Sequence, residues 1–183
     1  MKLSSIVDLI LKSSKPKLVS QKIVAIDGCG GAGKSTLASM MAQSLNCDVI
    51  HTDDFASWDN QFDWHPRMIT QVLEPLSKGQ SAVFQRYDWN KKQLSDWITI
   101  KPQEFIILEG VSSSRREFRP YLSFGIFVKT DSNLRLSRGL ARDGIQAKDQ
   151  WLKWMHEEDL YISRDNPEEY AQIVIDGSTP LEG

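Results

Sequence analysis

Residues 28–35 read Gly-Cys-Gly-Gly-Ala-Gly-Lys-Ser, a complete match to the pattern G-x-x-x-x-G-K-[ST]. The run before it, Lys22–Asp27 (KIVAID), is apolar and reads as a buried strand, and Ser35–Ser44 reads as a helix. Strand, glycine-rich turn and helix in that order constrain the fold more than any other feature of the chain. The glycines let the backbone curl so that successive N–H groups point inward, and the helix adds its positive dipole end. Such a loop cradles phosphate. Gly28, Gly30, Gly31, Ala32, Gly33, Lys34, Ser35 and Thr36 are therefore candidate nucleotide-binding residues. Lys34 is expected to reach the β- and γ-phosphates and the Ser35 hydroxyl to ligate Mg²⁺, with ATP or a similar nucleoside triphosphate as the ligand.

The remainder of the chain repeats the alternation. Asp48–His51, Phe105–Leu108, Phe124–Val128 and Ile173–Ile175 read as strands, and Arg67–Ser77, Asn133–Asp143 and Ala147–Ile162 as helices. Strands alternating with helices indicate an α/β domain with a parallel sheet. Leu3, Ile6, Val7, Ile10 and Leu11 recur at helical spacing, so an amphipathic helix and a connector over 13–21 precede the first strand. A length of 183 residues suits one domain over 1–183.

A formal net charge of −2 argues against a general nucleic-acid binder. Two cysteines, Cys29 and Cys47, make neither a disulfide framework nor a four-ligand zinc site, and His51, His65 and His156 lack metal-ligand spacing. No run approaches the roughly 18 apolar residues of a membrane span, and Asp8 and Lys12 spoil a secretory pattern. A cytoplasmic protein is expected, with its oligomeric state open.

Function gathers at the carboxyl ends of parallel strands. The second strand ends in Asp53-Asp54-Phe55, where a carboxylate would face the γ-phosphate and could take a hydroxyl proton or simply cap a turn. The third ends in Glu109, a candidate Mg²⁺ partner. Arg135, Arg138 and Arg142 share one side of a helix, with Leu136 and Leu140 expected to pack inward from the other. That row suits a transferring phosphoryl group or a solvated basic face equally well. Arg115 and Arg116 are weaker candidates for acceptor or phosphate contacts. Trp58, Trp64, Trp89 and Trp97 fall between the two acidic strand ends, where rings could stack on a planar base or fill core; Trp151, Trp154 and Met155 read as core.

Taken together, these residues resemble the uridine kinase-like branch of the small P-loop kinases. The resemblance covers about residues 22–177 and includes the Gly28–Ser35 loop, Asp53-Asp54-Phe55, Tyr87-Asp88-Trp89, Glu109-Gly110, the Arg138 and Arg142-Asp143 segment, and Ile175-Asp176-Gly177. It implies a P-loop NTPase fold: three layers, α/β/α, around a five-stranded parallel sheet of order 2-3-1-4-5, with a helical lid. It also implies Asp53 as general base, Lys34, Arg138 and Arg142 as catalytic groups, and Ser35 and Glu109 on Mg²⁺. Asp53, Tyr87, Asp88 and Trp89 would then meet a small acceptor bearing a hydroxyl, a nucleoside first. Three departures weaken the acceptor assignment: Gly139 follows Arg138 where the family has adjacent arginines, Gly144–Ala147 replaces an Arg-Gly-Arg element, and no pocket histidine occurs within Asn90–Leu94. A nucleotide, pantothenate-like or sugar kinase, and a regulatory ATPase, remain the alternatives.

Overall fold

The computed structural model describes residues 2–16 and 19–179. Met1, residues 17–18 of the expected connector and residues 180–183 at the end of the expected domain lie outside the described residues. Helix α1 (Leu3–Lys12) buries Ile6 and Ile10, four residues apart on one face. Lys22, the first residue of strand β1 (Lys22–Asp27), donates from Nζ to Ile10 O at 3.1 Å and Leu11 O at 2.6 Å. A cation thereby meets the negative end of α1 and closes the helix against the sheet.

Beyond the glycine-rich loop lie helix α2 (Lys34–Leu45) and strand β2 (Asp48–His51), which runs into a 3-10 turn over Thr52–Asp54. Then α3 (His65–Met68), a π-helical turn (Ile69–Leu73) and α4 (Glu74–Ser77) follow without a break. The sequence predicts one plain helix over 67–77. Pro75 lacks the N–H that an unbroken α-helix would use, and the hydrogen bonding widens in the turn before it. Strands β3 (Ala82–Asp88) and β4 (Gln93–Ile100) form an antiparallel hairpin, a separate two-stranded sheet. The order closes with β5 (Phe105–Glu109), β6 (Phe124–Lys129), α5 (Ser132–Asp143), α6 (Lys148–Asp165), α7 (Pro167–Tyr170) and β7 (Ile173–Asp176).

The main sheet runs β2-β5-β1-β6-β7, with every neighbouring pair parallel. The expected 2-3-1-4-5 counts only five strands; the chain carries a hairpin between the second and third of them, which shifts the numbering to 2-5-1-6-7. Helices cover both faces, and successive residues of the central strands divide accordingly. Ile23, Ala25, Ile106 and Leu108 enter a core with Trp64, Met68 and Phe118. Val24, Ile26, Phe105 and Ile107 enter the opposite core with Ile6, Leu37 and Met41. Both faces being buried explains why β1 and β5 read as unbroken apolar runs. Among the described residues no helix is long and apolar enough to cross a membrane.

Candidate active site

The carboxyl ends of β1, β5 and β2 are adjacent, and the candidate residues collect there. Gly28 leaves β1 at φ 143°, where a Cβ would collide with the Val128 carbonyl oxygen. Gly31 sits at φ 75° against the Arg135 backbone. These two positions require glycine for close approach as well as for conformation. The loop delivers the chain to the N-terminus of α2, where Lys34 is buried and its Nζ donates to Cys29 O at 2.9 Å. Burial pushes the Cys29 thiol up to about 12, with Glu158 adding to the rise, so this cysteine is a neutral, unreactive part of the loop.

Two buried acids brace the loop, and neither is visible as a site in the sequence. Asp27, fully buried at the end of β1, accepts from Gly28 N (2.7 Å), Ser112 N (3.0 Å), Ser114 N (2.8 Å), Ser114 Oγ (2.6 Å) and Tyr161 Oη (2.6 Å). It ties the phosphate loop to the turn after β5 and to α6. Glu158 of α6 accepts from Gly30 N at 2.8 Å and pairs with Arg135 of α5 at 2.9 Å. Glu158→Gln keeps size and the Gly30 bond but leaves the Arg135 cation buried without its counter-charge. It should cost roughly 1.5–3 kcal/mol, the range for hydrogen bonds to charged groups. A urea-denaturation midpoint unchanged from the parent would show that the pair does not brace the loop.

Glu109, at the end of β5, faces Ser35 and His51 together. Ser35 Oγ donates to Oε1 at 3.2 Å, and His51 Nδ1 is 2.6 Å from Oε2. Burial alone would raise the Glu109 carboxyl, but His51, Lys34 and Ser35 hold it below its ordinary range. The hydrogen bond to Glu109 raises His51 in turn, against its own partial burial. Spacing in the sequence gives His51 no role, because its partner is 58 residues away, a contact only the fold creates.

Asp53 and Asp54 lie in the 3-10 turn after β2. Asp53 keeps exposed surface at the mouth of the crevice, yet the protein crowding around it pushes its carboxyl above the ordinary range, opposed by Lys34 and reinforced by Glu109. Asp54 is raised as well, chiefly by burial. Trp89 Nε1 donates to Asp53 O at 3.1 Å, and Tyr87 packs edge-on to Trp89 at 5.3 Å. Asp88 points elsewhere: it accepts from Asn90 N (3.0 Å) and Lys91 N (2.9 Å) and so builds the hairpin turn. An extended strand alternates its faces, which separates Asp88 from its aromatic neighbours.

The arginine helix is turned differently from expectation. Arg135 is buried on Glu158, Arg138 reaches Gly31 O (3.2 Å) and Gly177 O (2.9 Å), and Arg142 is exposed and forked onto Asp143 at 2.7 and 2.9 Å. Leu136 and Leu140 are only partly buried, so the arginine side packs against the phosphate loop, as charged groups do when carbonyls and a carboxylate await them. A Cβ at Gly139 would collide with the Trp151 indole, which leaves no room for the second arginine of the family's pair. Arg115 is buried and structural, holding Phe62 O at 2.6 Å and Glu117 at 3.0 Å. Trp154, read as core, instead meets Trp58 and Trp89 at 5.5 and 6.1 Å beside the crevice, while Trp64 is core and Trp97 is exposed.

Two clefts flank this centre. One, about 420 Å³, lies beside the start of α2 and is lined by Gly33, Thr36, Met40, Arg138, Ile175 and Gly177. The other, about 340 Å³, is lined by Phe55, Ser57, Asp63, Arg67, Tyr87 and Leu94. Among the described residues no three His, Cys, Asp or Glu side chains cluster as a self-sufficient metal site.

Comparison with known proteins bears on the family and the fold. The model of the phosphoribulokinase/uridine kinase family matches residues 53–176. A uridine kinase from Macrococcus caseolyticus is 24% identical over 179 residues, covering 84% of this chain and 86% of that protein. One from Borrelia duttonii is 26% identical over 178 residues, with coverage of 84% and 85%. The solved "Possible Uridine Kinase" from Bacillus stearothermophilus superposes with a TM-score of 0.71 at 22% identity, covering 95% of this chain and 97% of that one. A solved protein from Silicibacter sp. TM1040 reaches 0.69 at 16% identity, and these two likenesses speak for the fold.

Proposed function

The chain belongs to the phosphoribulokinase/uridine kinase family and is a kinase, and from that membership we propose that it acts as a single catalytic domain moving the γ-phosphoryl group of ATP to a hydroxyl of a small, nucleoside-like acceptor. The observation that carries this reading is the convergence of Lys34, Ser35, Glu109 and Asp53 at the carboxyl ends of three adjacent strands. The loop amides and the N-terminus of α2 bind the phosphates, and Lys34 turns from Cys29 O to the β- and γ-phosphates. The adenine side falls in the cleft lined by Met40, Ile175 and Gly177.

A hydroxyl and a carboxylate oxygen 3.2 Å apart fit Mg²⁺, which takes one or two protein ligands and completes its shell from phosphates and water. Ser35 and Glu109 would hold it, with His51 orienting the carboxylate, and when bound it neutralises charge on the phosphates. Asp53 accepts the acceptor's hydroxyl proton, and a carboxyl raised above its ordinary range is a stronger base. Arg138, anchored on Gly31 and Gly177, and Arg142, whose charge is felt at Asp53, are the cations available to the transferring phosphoryl group. Tyr87 and Trp89 supply rings to the acceptor side. The uridine kinase names of the relatives support a nucleoside-type acceptor.

The test is ADP release by purified protein with ATP and Mg²⁺, with and without nucleosides and other small alcohols. Release should require the alcohol, yield a phosphorylated product and stop in excess EDTA. ATP consumption at the same rate without any alcohol would instead make the protein a nucleotide-dependent ATPase.

A further inference from the structure

The 340 Å³ cleft contains a cation that the reaction described above leaves unused. Arg67, on α3, lines it together with Tyr87 and Phe55. Its guanidinium lies 5.2 Å from the Phe55 ring centroid, and Nη2 donates to Gln85 O at 2.8 Å and Gln71 Oε1 at 3.4 Å. Those contacts fix the plane of the group without neutralising it. Among the described residues Arg67 joins no ion pair, whereas Arg86, Arg115, Arg135, Arg142 and Arg164 each do. Nη1 and Nε have no protein partner and are not sealed from solvent.

Each of the two clefts is thus lined by one arginine that, among the described residues, pairs with no carboxylate, Arg138 in one and Arg67 in the other. Arg138 adjoins the phosphate loop, where anionic phosphates are the expected ligand. The Arg67 cleft adjoins Asp53: Phe55 is two residues beyond it, and Tyr87 packs on Trp89, which holds the Asp53 carbonyl. A guanidinium held on an aromatic face through Nη2, with Nη1 and Nε still free to donate, keeps its charge and open N–H groups for an oxygen of a carboxylate or phosphate. Partial burial lowers the Arg67 pKa, a sign that its charge is incompletely solvated and would gain from an anion.

We propose that the acceptor carries an anionic group, carboxylate or phosphate, apart from the hydroxyl that is phosphorylated, and that Arg67 is the residue selecting it. Asp63, on the same cleft, is available to accept from hydroxyls of that molecule. The proposal rests on the kinase reading and narrows its acceptor to nucleoside-like compounds with a negative charge.

Matched acceptors test it: uridine against orotidine, which adds a carboxylate, and uridine against uridine 3′-monophosphate, which adds a phosphate and keeps the 5′-hydroxyl free. The two pairs also separate carboxylate from phosphate as the source of the charge. The parent protein should favour at least one charged member by tenfold or more in kcat/KM. Arg67→Gln should lower the charged-to-neutral ratio by roughly 10–100-fold, and Arg67→Lys, which keeps the charge and loses the planar guanidinium, should retain part of the preference. Thermal midpoints and ATP affinity identify a variant that has merely unfolded, and Arg67→Lys then carries the comparison. Preference for uridine over both charged partners, or an equal loss on both members of a pair in a folded variant, overturns the proposal while leaving the kinase reading standing. Transfer to none of these acceptors, with ATP bound, overturns the proposal together with the nucleoside-like acceptor it rests on.

Discussion

Lys34→Ala is expected to reduce phosphoryl transfer on the order of 10³-fold while leaving the fold intact, because the one cation built into the phosphate loop is lost. The fold should survive: the Nζ makes a single protein hydrogen bond, to Cys29 O, and the loop is held independently by Asp27 and Glu158. The same charge also lowers the carboxyls of Asp53 and Glu109. Without it both should rise. Since a base works only when deprotonated, residual activity should fall away at a higher pH than in the parent as the solution is acidified. Turnover under saturating ATP, circular dichroism and the acid limb of the pH profile form the set of measurements. A well-folded variant with undiminished turnover would remove Lys34 from the active site.

Asp53→Asn should be nearly as damaging, lowering turnover by roughly 10²–10⁴-fold with ATP still bound. The change preserves size and the backbone carbonyl that Trp89 holds, so the acceptor side should keep its shape. It removes only the basicity of a carboxyl already raised by its surroundings. Asp54→Asn is the necessary companion, since Asp54 shares the 3-10 turn and is raised as well. If Asp54→Asn abolishes turnover and Asp53→Asn does not, the base is one residue further along the chain.

Local chemistry was legible where neighbouring residues create it. Gly28 and Gly31 announce the loop because only glycine tolerates their backbone angles and close contacts. The apolar runs at 22–27 and 105–108 announce central strands because both of their faces are buried. The hairpin strand β4 leaves a fainter trace, Ile98 and Ile100 inward with Trp97 and Thr99 outward, an alternation too short to announce a strand. Helical spacing correctly grouped three arginines on one side of α5. It could not say which side faces inward, since periodicity defines a stripe and not the partner that covers it.

The sequence by itself therefore determined the phosphate loop, the α/β class and the acids at the ends of the strands. Each of these follows from bonding or burial over a few consecutive residues. Only the tertiary structure decided that Glu158 braces Gly30 from 128 residues away, that His51 meets Glu109, and that Asp88 serves a turn. It alone placed Arg67 on a cleft with no carboxylate paired to it among the described residues. The physical reason is that charge pairing and burial depend on distances in space, and those are set when the sheet and its helices pack together.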